Sequence, residues 1–399
     1  MKSWALWFVF LSIAVTGCSS AQTASSTTTG VPRPEPTTTT LPSAPTPTST
    51  RPATGTTLPI PATSPTFQSK GAAPGRELAT RIPADHNRYF YGMSGDGSML
   101  AYVIDETTAC PTFDVREASG TISTIAGSGP PDMCPVSTDS ARITNDYIVA
   151  LLAPPSDIAM TTWILLAINR HTGARWVIAH SEPTEPAQPK FVVAFDGRTV
   201  VWSVYGAVQV TSPDQVTMYA ADVTTHTVTT IGTGLTKPEI FDGVIFANEF
   251  TSSTTVGSIV SIDLATRAKT VLAPNADAGL IAVSDEALIA TRPDGAIVMD
   301  HRGNPLGQIH GVIRWPTGGG HYLFWHDDDS QNGRIMIMDT RCLAVYELQP
   351  PNDQGTRAYT DGTRITWNAR IDQTKPAYGD NVAFNILPVE QLHLCGPAS

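Results

Sequence analysis

Charged side chains are scarce in this chain of 399 residues. Asp, Glu, Lys and Arg together make up 15% of it, and the formal net charge is −11. A nucleic-acid partner requires a basic face, so this balance argues against one. Long hydrophobic runs are also missing. The candidate run, Trp4 to Val15, has 12 residues, whereas a helix needs roughly 20 to cross a bilayer.

Common catalytic and metal-binding motifs are absent as well. The nine histidines form no H-x-H, H-x-x-x-H or H-E-x-x-H pattern, and G-x-S-x-G does not occur. The five cysteines contain no Cys-x-x-Cys pair, which argues against a zinc site. We therefore predict no cofactor and assign no catalytic residue from the sequence.

The N-terminus has the pattern of an export signal. Lys2 and the short apolar run are typical of a signal peptide, residues 1–17. Val-Thr-Gly-Cys at residues 15–18 resembles the bacterial lipobox, whose cysteine is acylated and becomes the mature N-terminus. This resemblance implies two or three acyl chains on Cys18, and two or more chains anchor a protein stably in membrane lipid. An ordinary cleaved signal peptide with an incidental cysteine is the alternative.

Residues 19–69 have too few apolar side chains to form a hydrophobic core. They contain three charged residues and one aromatic residue, Phe67, among many Thr, Ser, Pro and Ala. Such a composition buries too little apolar area to offset its conformational entropy. We expect residues 18–75 to form a disordered tether, either bare or carrying O-linked sugars. The expected location is the extracytoplasmic side of a bacterial cell membrane, with a lipid anchor.

A turn followed by an apolar strand recurs seven times, about 35 to 51 residues apart. In the first copy Asp96-Gly97 precedes residues 98–102, and in the third Asp196-Gly197 precedes residues 198–202. The other copies begin at residues 145, 242, 285, 319 and 361. This spacing is typical of a β-propeller with one copy in each blade.

A second motif shares the period of the first. Apolar residues alternate, end at Asp or Asn and run into a turn, as at residues 166–169 (Leu-Ala-Ile-Asn) and 260–263 (Val-Ser-Ile-Asp). This is the pattern of a half-buried strand that enters a turn. Together the motifs predict an all-β, seven-bladed propeller over residues 76–399, with four antiparallel strands, A to D, in each blade.

The repeats resemble those of TolB-type and WD40-like propellers, whose blades carry a Ser-Pro-Asp-Gly turn before an apolar and aromatic strand. Residues 94–97 (Ser-Gly-Asp-Gly) and Ser284-Asp285 come nearest to that turn, and both lack its proline. The resemblance implies the fold over about 310 residues, and it implies no particular activity, because propellers host many unrelated functions.

The ring must be closed by a strand from the other end of the chain. The last blade has candidates for strands A, B and C, but residues 388–399 make a poor fourth strand. Residues 77–82 precede the first blade without a blade of their own. We expect them to form strand D of the last blade, because this pairing removes an open sheet edge.

The cysteines test this topology. With Cys18 acylated, four cysteines remain in an oxidising setting, which favours two disulfides. Cys110 and Cys134 fall in connections on one face of the predicted disc, and Cys342 and Cys395 fall on the other. We expect the pairs Cys110–Cys134 and Cys342–Cys395, with free thiols or metal ligands as the alternatives.

Long connections collect on one face. The B–C and D–A connections are long, whereas the A–B and C–D turns are mostly short. Insertions gathered on one face usually mark the binding face of a repeat protein. The most polar of these loops is residues 326–333, where His326, Asp327, Asp328 and Asp329 are candidate binding residues.

Two further candidates are weaker patterns. Asp328, Ser330 and Asn332 resemble the start of a calcium loop, although no acidic residue completes it, and a solvated hairpin is the alternative. The six tryptophans after the signal mostly fall in predicted strands and suit packing between blades. Trp315, before Pro316 near the axis, is the candidate for stacking on a sugar.

These features predict a membrane-tethered, non-enzymatic propeller that binds a protein, a peptide or an envelope glycan on its long-loop face. A hydrolase or lyase with its active site at the mouth of the central channel is the alternative, and a structural scaffold is a third hypothesis. Three or more converging His, Asp, Glu or Arg side chains at that mouth would favour the enzyme. An exposed aromatic patch would favour partner binding.

Overall fold

The computed structural model is a seven-bladed β-propeller within a unit that spans residues 56–399. It describes residues 64–83, 88–103, 112–125, 134–135, 141–153, 160–181, 188–189, 192–206, 210–250, 257–276, 278–327, 334–349, 358–372, 374 and 382–395. In this part of the chain, no helix is long and apolar enough to span a membrane.

The strands, in chain order, are β1 (Ser69–Ala72), β2 (Thr80–Pro83), β3 (Arg88–Met93), β4 (Met99–Val103), β5 (Thr112–Arg116), β6 (Ile122–Ile125), β7 (Cys134–Pro135), β8 (Ala141–Ile143), β9 (Tyr147–Ala153), β10 (Met160–Thr161), β11 (Ile164–Asn169), β12 (Arg175–His180), β13 (Gln188–Pro189), β14 (Val193–Phe195), β15 (Thr199–Tyr205), β16 (Val216–Asp222), β17 (Thr227–Thr233), β18 (Leu235–Phe241), β19 (Val244–Glu249), β20 (Ser258–Asp263), β21 (Lys269–Ala273), β22 (Ile281–Val283), β23 (Ala287–Arg292), β24 (Gly295–Asp300), β25 (Pro305–His310), β26 (Arg314–Gly319), β27 (Tyr322–His326), β28 (Ile335–Asp339), β29 (Ala344–Gln349), β30 (Ala358–Thr360), β31 (Arg364–Arg370) and β32 (Val382–Pro388). The 3-10 turns are Arg76–Leu78, Pro213–Gln215 and Val389–Gln391.

Each blade has four antiparallel strands, and in the first six blades strands A to D follow one another along the chain. The blades are β3–β6, then β8, β9, β11 and β12, then β14–β17, β18–β21, β22–β25, β26–β29, and finally β30, β31, β32 and β2. Short strand β7 extends the second blade, and β10 pairs with β13. The innermost strands contact one another in sequence, and β30 of the seventh blade contacts β3 of the first. The ring is therefore closed.

Strand B is buried on both faces from the second to the sixth blade, which explains its continuous apolar runs, whereas the outer strands are more exposed. In β9, Val149, Leu151 and Ala153 pack with the third blade, whereas Ile148 and Leu152 pack with the first. A strand that faces a neighbouring sheet on each side has no solvent face, so polar and apolar residues do not alternate in it.

Every outer strand from the second to the sixth blade contains a bulge at an apolar residue. The register against strand C slips by one residue at these positions. Each bulged side chain joins the hydrophobic cluster shared with the following blade. The five residues are Ile178, Ile231, Leu272, Leu306 and Leu348. The bulges therefore turn otherwise half-exposed strands toward the next blade.

The acidic residue that ends strand C caps the turn that follows it. The Asp222 carboxylate accepts the backbone N–H groups of Thr224 and Thr225 at 2.8 and 3.0 Å. Burial raises the pKa of Asp222, but these hydrogen bonds and the Arg198 guanidinium outweigh it and hold the pKa well below its usual range. Asp263 accepts the N–H of Thr266 in the same way. The acidic residue that ends the second sequence motif thus stabilises the turn after strand C.

The predicted closing strand is confirmed. Strand β2 pairs antiparallel with β32 as the fourth strand of the seventh blade, and Thr80 lies opposite Ile386. The first two residues of the predicted segment lie in the 3-10 turn Arg76–Leu78 instead. Two distant parts of the chain therefore share one sheet, and β32 is paired on both sides instead of forming the outer edge of a three-stranded blade.

The end of the predicted tether is corrected by the structure. Residues 64–75 were expected to belong to a disordered segment, but β1 pairs in parallel with β29 on the rim of the sixth blade. Phe67 packs into the cluster between the fifth and sixth blades, and Ala73 is 1% exposed. We call residues 64–73 the strap. Its partners are distant in sequence, so composition alone did not show it.

The disulfide Cys342–Cys395 is confirmed, with a Cα–Cα distance of 5.7 Å. It joins the turn after β28 to the C-terminal segment beyond β32, so these cysteines do not act as metal ligands. Cys110 lies outside the described residues, and only the backbone of Cys134 is described. The pair Cys110–Cys134 therefore stays a prediction.

Arg170 connects the first two blades. Its side chain, 6% exposed, belongs to the second blade and reaches two carboxylates of the first. Arg170 Nη1 lies 3.1 Å from Asp96 Oδ2, and Nη2 lies 2.8 Å from Glu117 Oε2. Burial raises the pKa of Asp96, but hydrogen bonds from Ser94 and Ser98 and the Arg170 charge outweigh it, so this pKa lies below the ordinary value of 3.8.

We expect Cys342→Ser to lower the free energy of unfolding by about 2–4 kcal/mol, because the disulfide limits the freedom of the unfolded chain. Urea unfolding of the oxidised protein measures this loss, and Cys395→Ser should give the same value. An unfolding midpoint unchanged from wild type in both variants would contradict the assigned role of the bond.

We expect Arg170→Met to lower the free energy of unfolding by about 1–3 kcal/mol at neutral pH, because two carboxylates lose a charged donor. The lowered pKa of Asp96 means that its contribution is complete above 3.8 and is lost as the pH falls through the folded-state value. The difference from wild type should therefore shrink near pH 3 in urea titrations. Arg198→Met, in a more exposed pair, should cost less than about 1 kcal/mol. Equal losses at both pH values would refute this account.

Candidate functional site

The inner edge of every blade faces a central channel. Strand A is the terminal strand of its sheet in the described part of the chain, so one row of its N–H and C=O groups points toward the axis. A cavity of about 260 Å³ lies between these edges. All seven blades contribute to its lining, through residues that include, in blade order, Met93, Arg142, Phe195, Glu239, Ile281, Trp315 and Tyr359.

Four polar residues lie at one level of this channel. Arg142, Glu239, Thr317 and Tyr359 each pair with the third residue of the adjacent strand B, so the blades place them at equal depth. Arg142 Nη2 of the second blade lies 4.0 Å from Glu239 Oε1 of the fourth, and both side chains are about a quarter exposed. Opposite charges thus face each other across the channel.

Two bulges present further residues on the long-loop side of that level. Lys237 in β18 and Trp315 in β26 lie where strand A slips its register against strand B. Each precedes a proline, Pro238 or Pro316, which cannot donate to the sheet and therefore suits a bulge.

Both bulge residues have left-handed backbone conformations. The φ angle is 50° at Lys237 and 45° at Trp315. Such a conformation costs a side-chain-bearing residue about 1–3 kcal/mol, and strain of this kind concentrates at functional sites. The fourth and sixth blades therefore have the same strained bulge beside the same cavity.

The structure brings the predicted residues Trp315 and His326 together. Their ring centroids lie 5.4 Å apart with an interplanar angle of 56°, and Arg314 pairs with His326 across β26 and β27. His326 is 2% exposed, so it supports the indole from behind instead of lining the cavity. The prediction that Trp315 lies near the axis is confirmed.

Asp327 has a local partner. Its carboxylate accepts a hydrogen bond from Arg334 Nε at 2.7 Å, and Arg334 Nη1 lies 2.7 Å from Glu347 Oε1. Burial lowers the pKa of Arg334, but these two carboxylates outweigh it and raise the pKa above its ordinary value. Asp327 thus closes the base of its loop. The remaining loop candidates, Asp328, Asp329, Ser330 and Asn332, lie outside the described residues, and the calcium site stays a prediction.

The described lining of the channel contains more cations than carboxylates. The described charged residues of the lining are Arg142, Lys237 and Glu239, and exposed Arg314 adjoins Trp315. Two cations and one carboxylate therefore line the described part of the cavity, in a protein with a net charge of −11. Positive side chains in a cleft attract anionic ligands.

Sequence reasoning did not find Arg142, Lys237, Glu239 or Tyr359. They come from three different blades, and no spacing rule brings them together. One signal was present: a charged residue within a strand that the propeller places innermost, as in residues 235–241, is unusual for a buried position.

A group of metal-binding residue types lies on the short-turn face. His321 Nδ1 is 2.5 Å from Glu286 Oε1 and 3.5 Å from Asp285 Oδ2, and these side chains are 36–41% exposed. One ligand atom from each lies within 4.8 Å of the others. Glu286 also accepts a hydrogen bond from Thr340 Oγ1 at 2.5 Å, so the group joins the fifth and sixth blades.

No family model and no curated protein matches this chain. Solved structures match it over most of its length at low identity, and these matches show the fold alone. The acylaminoacyl peptidase of Pyrococcus horikoshii has a TM-score of 0.51 and 8% identity, covering 75% of this chain and 51% of its own. An oligogalacturonate lyase in complex with manganese has 0.50 and 10%, covering 82% and 97%. TolB from Acinetobacter baumannii has 0.40 and 14%, covering 74% and 80%.

We expect Lys237→Gly to leave the melting temperature unchanged or raise it, because glycine adopts positive φ freely. The relief of about 1–2 kcal/mol offsets the greater freedom of glycine in the unfolded chain. Lys269→Gly, in the extended strand β21, is the control and should cost about 1 kcal/mol. Thermal unfolding compares the two. Equal destabilisation would mean that no strain is stored at Lys237.

Proposed function

We propose that this chain is a lipid-anchored protein of the bacterial cell envelope whose propeller binds a ligand at the long-loop mouth of its channel. One observation carries the proposal: two strained bulge residues, Lys237 and Trp315, line the same cavity. Backbone strain persists where the surrounding structure maintains it for function. The fold itself is compatible with binding proteins and with enzymes, so the argument rests on the site.

The anchor is supported by the sequence pattern that ends at Cys18. The strap is compatible with it, because the Pro65 carbonyl accepts the Gln308 N–H at 2.9 Å on the outer strand of the fifth blade. The chain therefore joins the folded unit at the rim, at residue 65.

A hydrolase or lyase at the channel mouth is the second candidate. The pair formed by Arg142 and Glu239, with Tyr359 at the same depth, favours it. Binding without chemistry fits better, because the described lining contains no Ser, Cys or His to serve as nucleophile or imidazole base. The carboxylate of Glu239 also faces a guanidinium, an arrangement that suits charge pairing.

Site-specific photo-crosslinking in intact cells tests the binding face. We expect a crosslinking amino acid at position 314, exposed at the mouth, to yield a discrete adduct that is lost when Trp315→Ala is added. The same group at position 302, exposed on the short-turn face, is the control and should yield none. Equal adducts from both positions would refute binding at the mouth.

The anchor gives a separate prediction. We expect Cys18→Ser to abolish incorporation of labelled palmitate and to move the protein from the detergent phase to the aqueous phase, because no acyl chain remains. Ser19→Ala is the control and should behave as wild type. A Cys18→Ser protein that still partitions into detergent would contradict lipid anchoring at this residue.

A further inference from the structure

We propose that the ligand of the channel mouth is an acidic saccharide, held by its carboxylate on Arg142 and Lys237 and by one sugar ring against Trp315. This inference rests on the proposed function and names the chemical class of its ligand. Four features of the described residues support it: the charge of the lining, the aromatic platform, the exposed strand edges and the size of the cavity.

The charge selects an anion. Arg142 and Lys237 both line the cavity, and Glu239 is the one described carboxylate there. Arg142 Nη1 donates to the Ala141 carbonyl at 3.0 Å, and Nη2 lies 4.0 Å from Glu239 Oε1, at the long limit of an ion pair. The guanidinium has five N–H donors, so some remain for a ligand carboxylate. Cation-to-carboxylate hydrogen bonds are shorter and stronger than neutral ones. A ligand carboxylate is thus the group that the site recognises by charge.

The indole supplies a flat apolar surface. Trp315 lines the cavity, and His326 packs behind it, which fixes its orientation. The face of an aromatic ring carries partial negative charge and attracts the weakly positive C–H groups of a sugar ring. The left-handed backbone at Trp315 and the following Pro316 hold this surface toward the axis.

The strand edges supply hydrogen bonds for hydroxyl groups. The seven A strands direct backbone N–H and C=O groups to the channel, and the bulges in β18 and β26 interrupt the regular ladder at the site. Thr317 and Tyr359 carry side-chain hydroxyls at the same depth, and that of Thr317, which donates to the Ala358 carbonyl at 2.6 Å, can accept a hydrogen bond from a ligand. A sugar ring, which carries donors and acceptors on its periphery and apolar C–H groups on its faces, matches this combination.

The size argues for one ring and against a folded partner. A cavity of about 260 Å³ lies just below the range of about 300–1,000 Å³ typical of small-molecule sites. One sugar residue fills such a space while the rest of the chain extends toward the long loops. A peptide remains the competing occupant, and the experiment includes it.

The experiment measures binding of two matched trisaccharides to the full-length protein in detergent. One is cellotriose, and the other is its counterpart oxidised at C6, which differs in carrying carboxylates. A short acidic peptide is the third probe. We expect the oxidised trimer to bind at least tenfold more tightly than cellotriose or the peptide, with an affinity that falls as salt is added.

Variants assign the roles. Lys237→Gln and Arg142→Gln should each weaken the oxidised trimer about tenfold or more, because each removes a charged hydrogen bond. Trp315→Ala should weaken binding of the oxidised trimer about tenfold, and Trp315→Phe should weaken it less because phenylalanine keeps an aromatic face. Arg302→Gln removes one positive charge on the opposite face and should change nothing. Thermal unfolding of each variant confirms that the protein tested is folded.

Several results would overturn the inference. Equal binding of both trimers, or equal weakening by Arg302→Gln, would remove the charge selectivity while leaving ligand binding at the mouth intact. Binding of the peptide alone, or of no probe, would exclude the saccharide, and the crosslinking at position 314 would then decide the proposed function separately. Cleavage of the oxidised trimer would support the saccharide and refute binding without chemistry.

Discussion

The architecture depends on one constraint: every sheet has two apolar faces, and both must be covered. Seven sheets satisfy it by packing face to face in a ring, as β9 shows with its alternate side chains buried against the first and third blades. A ring of this kind has no free face only if it closes. Strand β2 supplies that closure by completing the seventh blade beside β32. Apolar burial at roughly 25 cal/mol per Å² over these interfaces stabilises the fold.

The same constraint creates the candidate site. Face-to-face packing uses the faces of the sheets and leaves their inner edges free, so the channel is lined by backbone groups and by side chains of the innermost strands, some of them at bulges. Charged side chains occur inside the ring at this place because the channel is open to solvent. The proposed binding site is thus separated in space from the packing that stabilises the fold: it lies where the bulges at Lys237 and Trp315 depart from the regular blade.

Much of the fold could be predicted because its signals are local. Asp-Gly turns and Asp-capped strands repeat along the chain, and each is a short-range hydrogen-bonding device. The closing strand and the bond Cys342–Cys395 followed from the topology once the blades were counted. The strap was missed because its parallel pairing joins residues about 275 positions apart, and one phenylalanine in a polar segment is too weak a signal to predict it. The channel residues were missed for a related reason, since they meet only after the ring has formed, although Trp315 beside its proline gave a usable signal.

Ring closure by the N-terminal strand is the claim on which the blade count, the channel and the site depend. Amide hydrogen exchange of the full-length protein, followed for residues 80–83 and 382–388, tests it directly. The account predicts that the amides that hydrogen-bond between β2 and β32 are protected to a similar extent in both segments, because they are released together when this pairing opens. Exchange of residues 80–83 at the rate of an unstructured peptide, with residues 382–388 still protected, would contradict it.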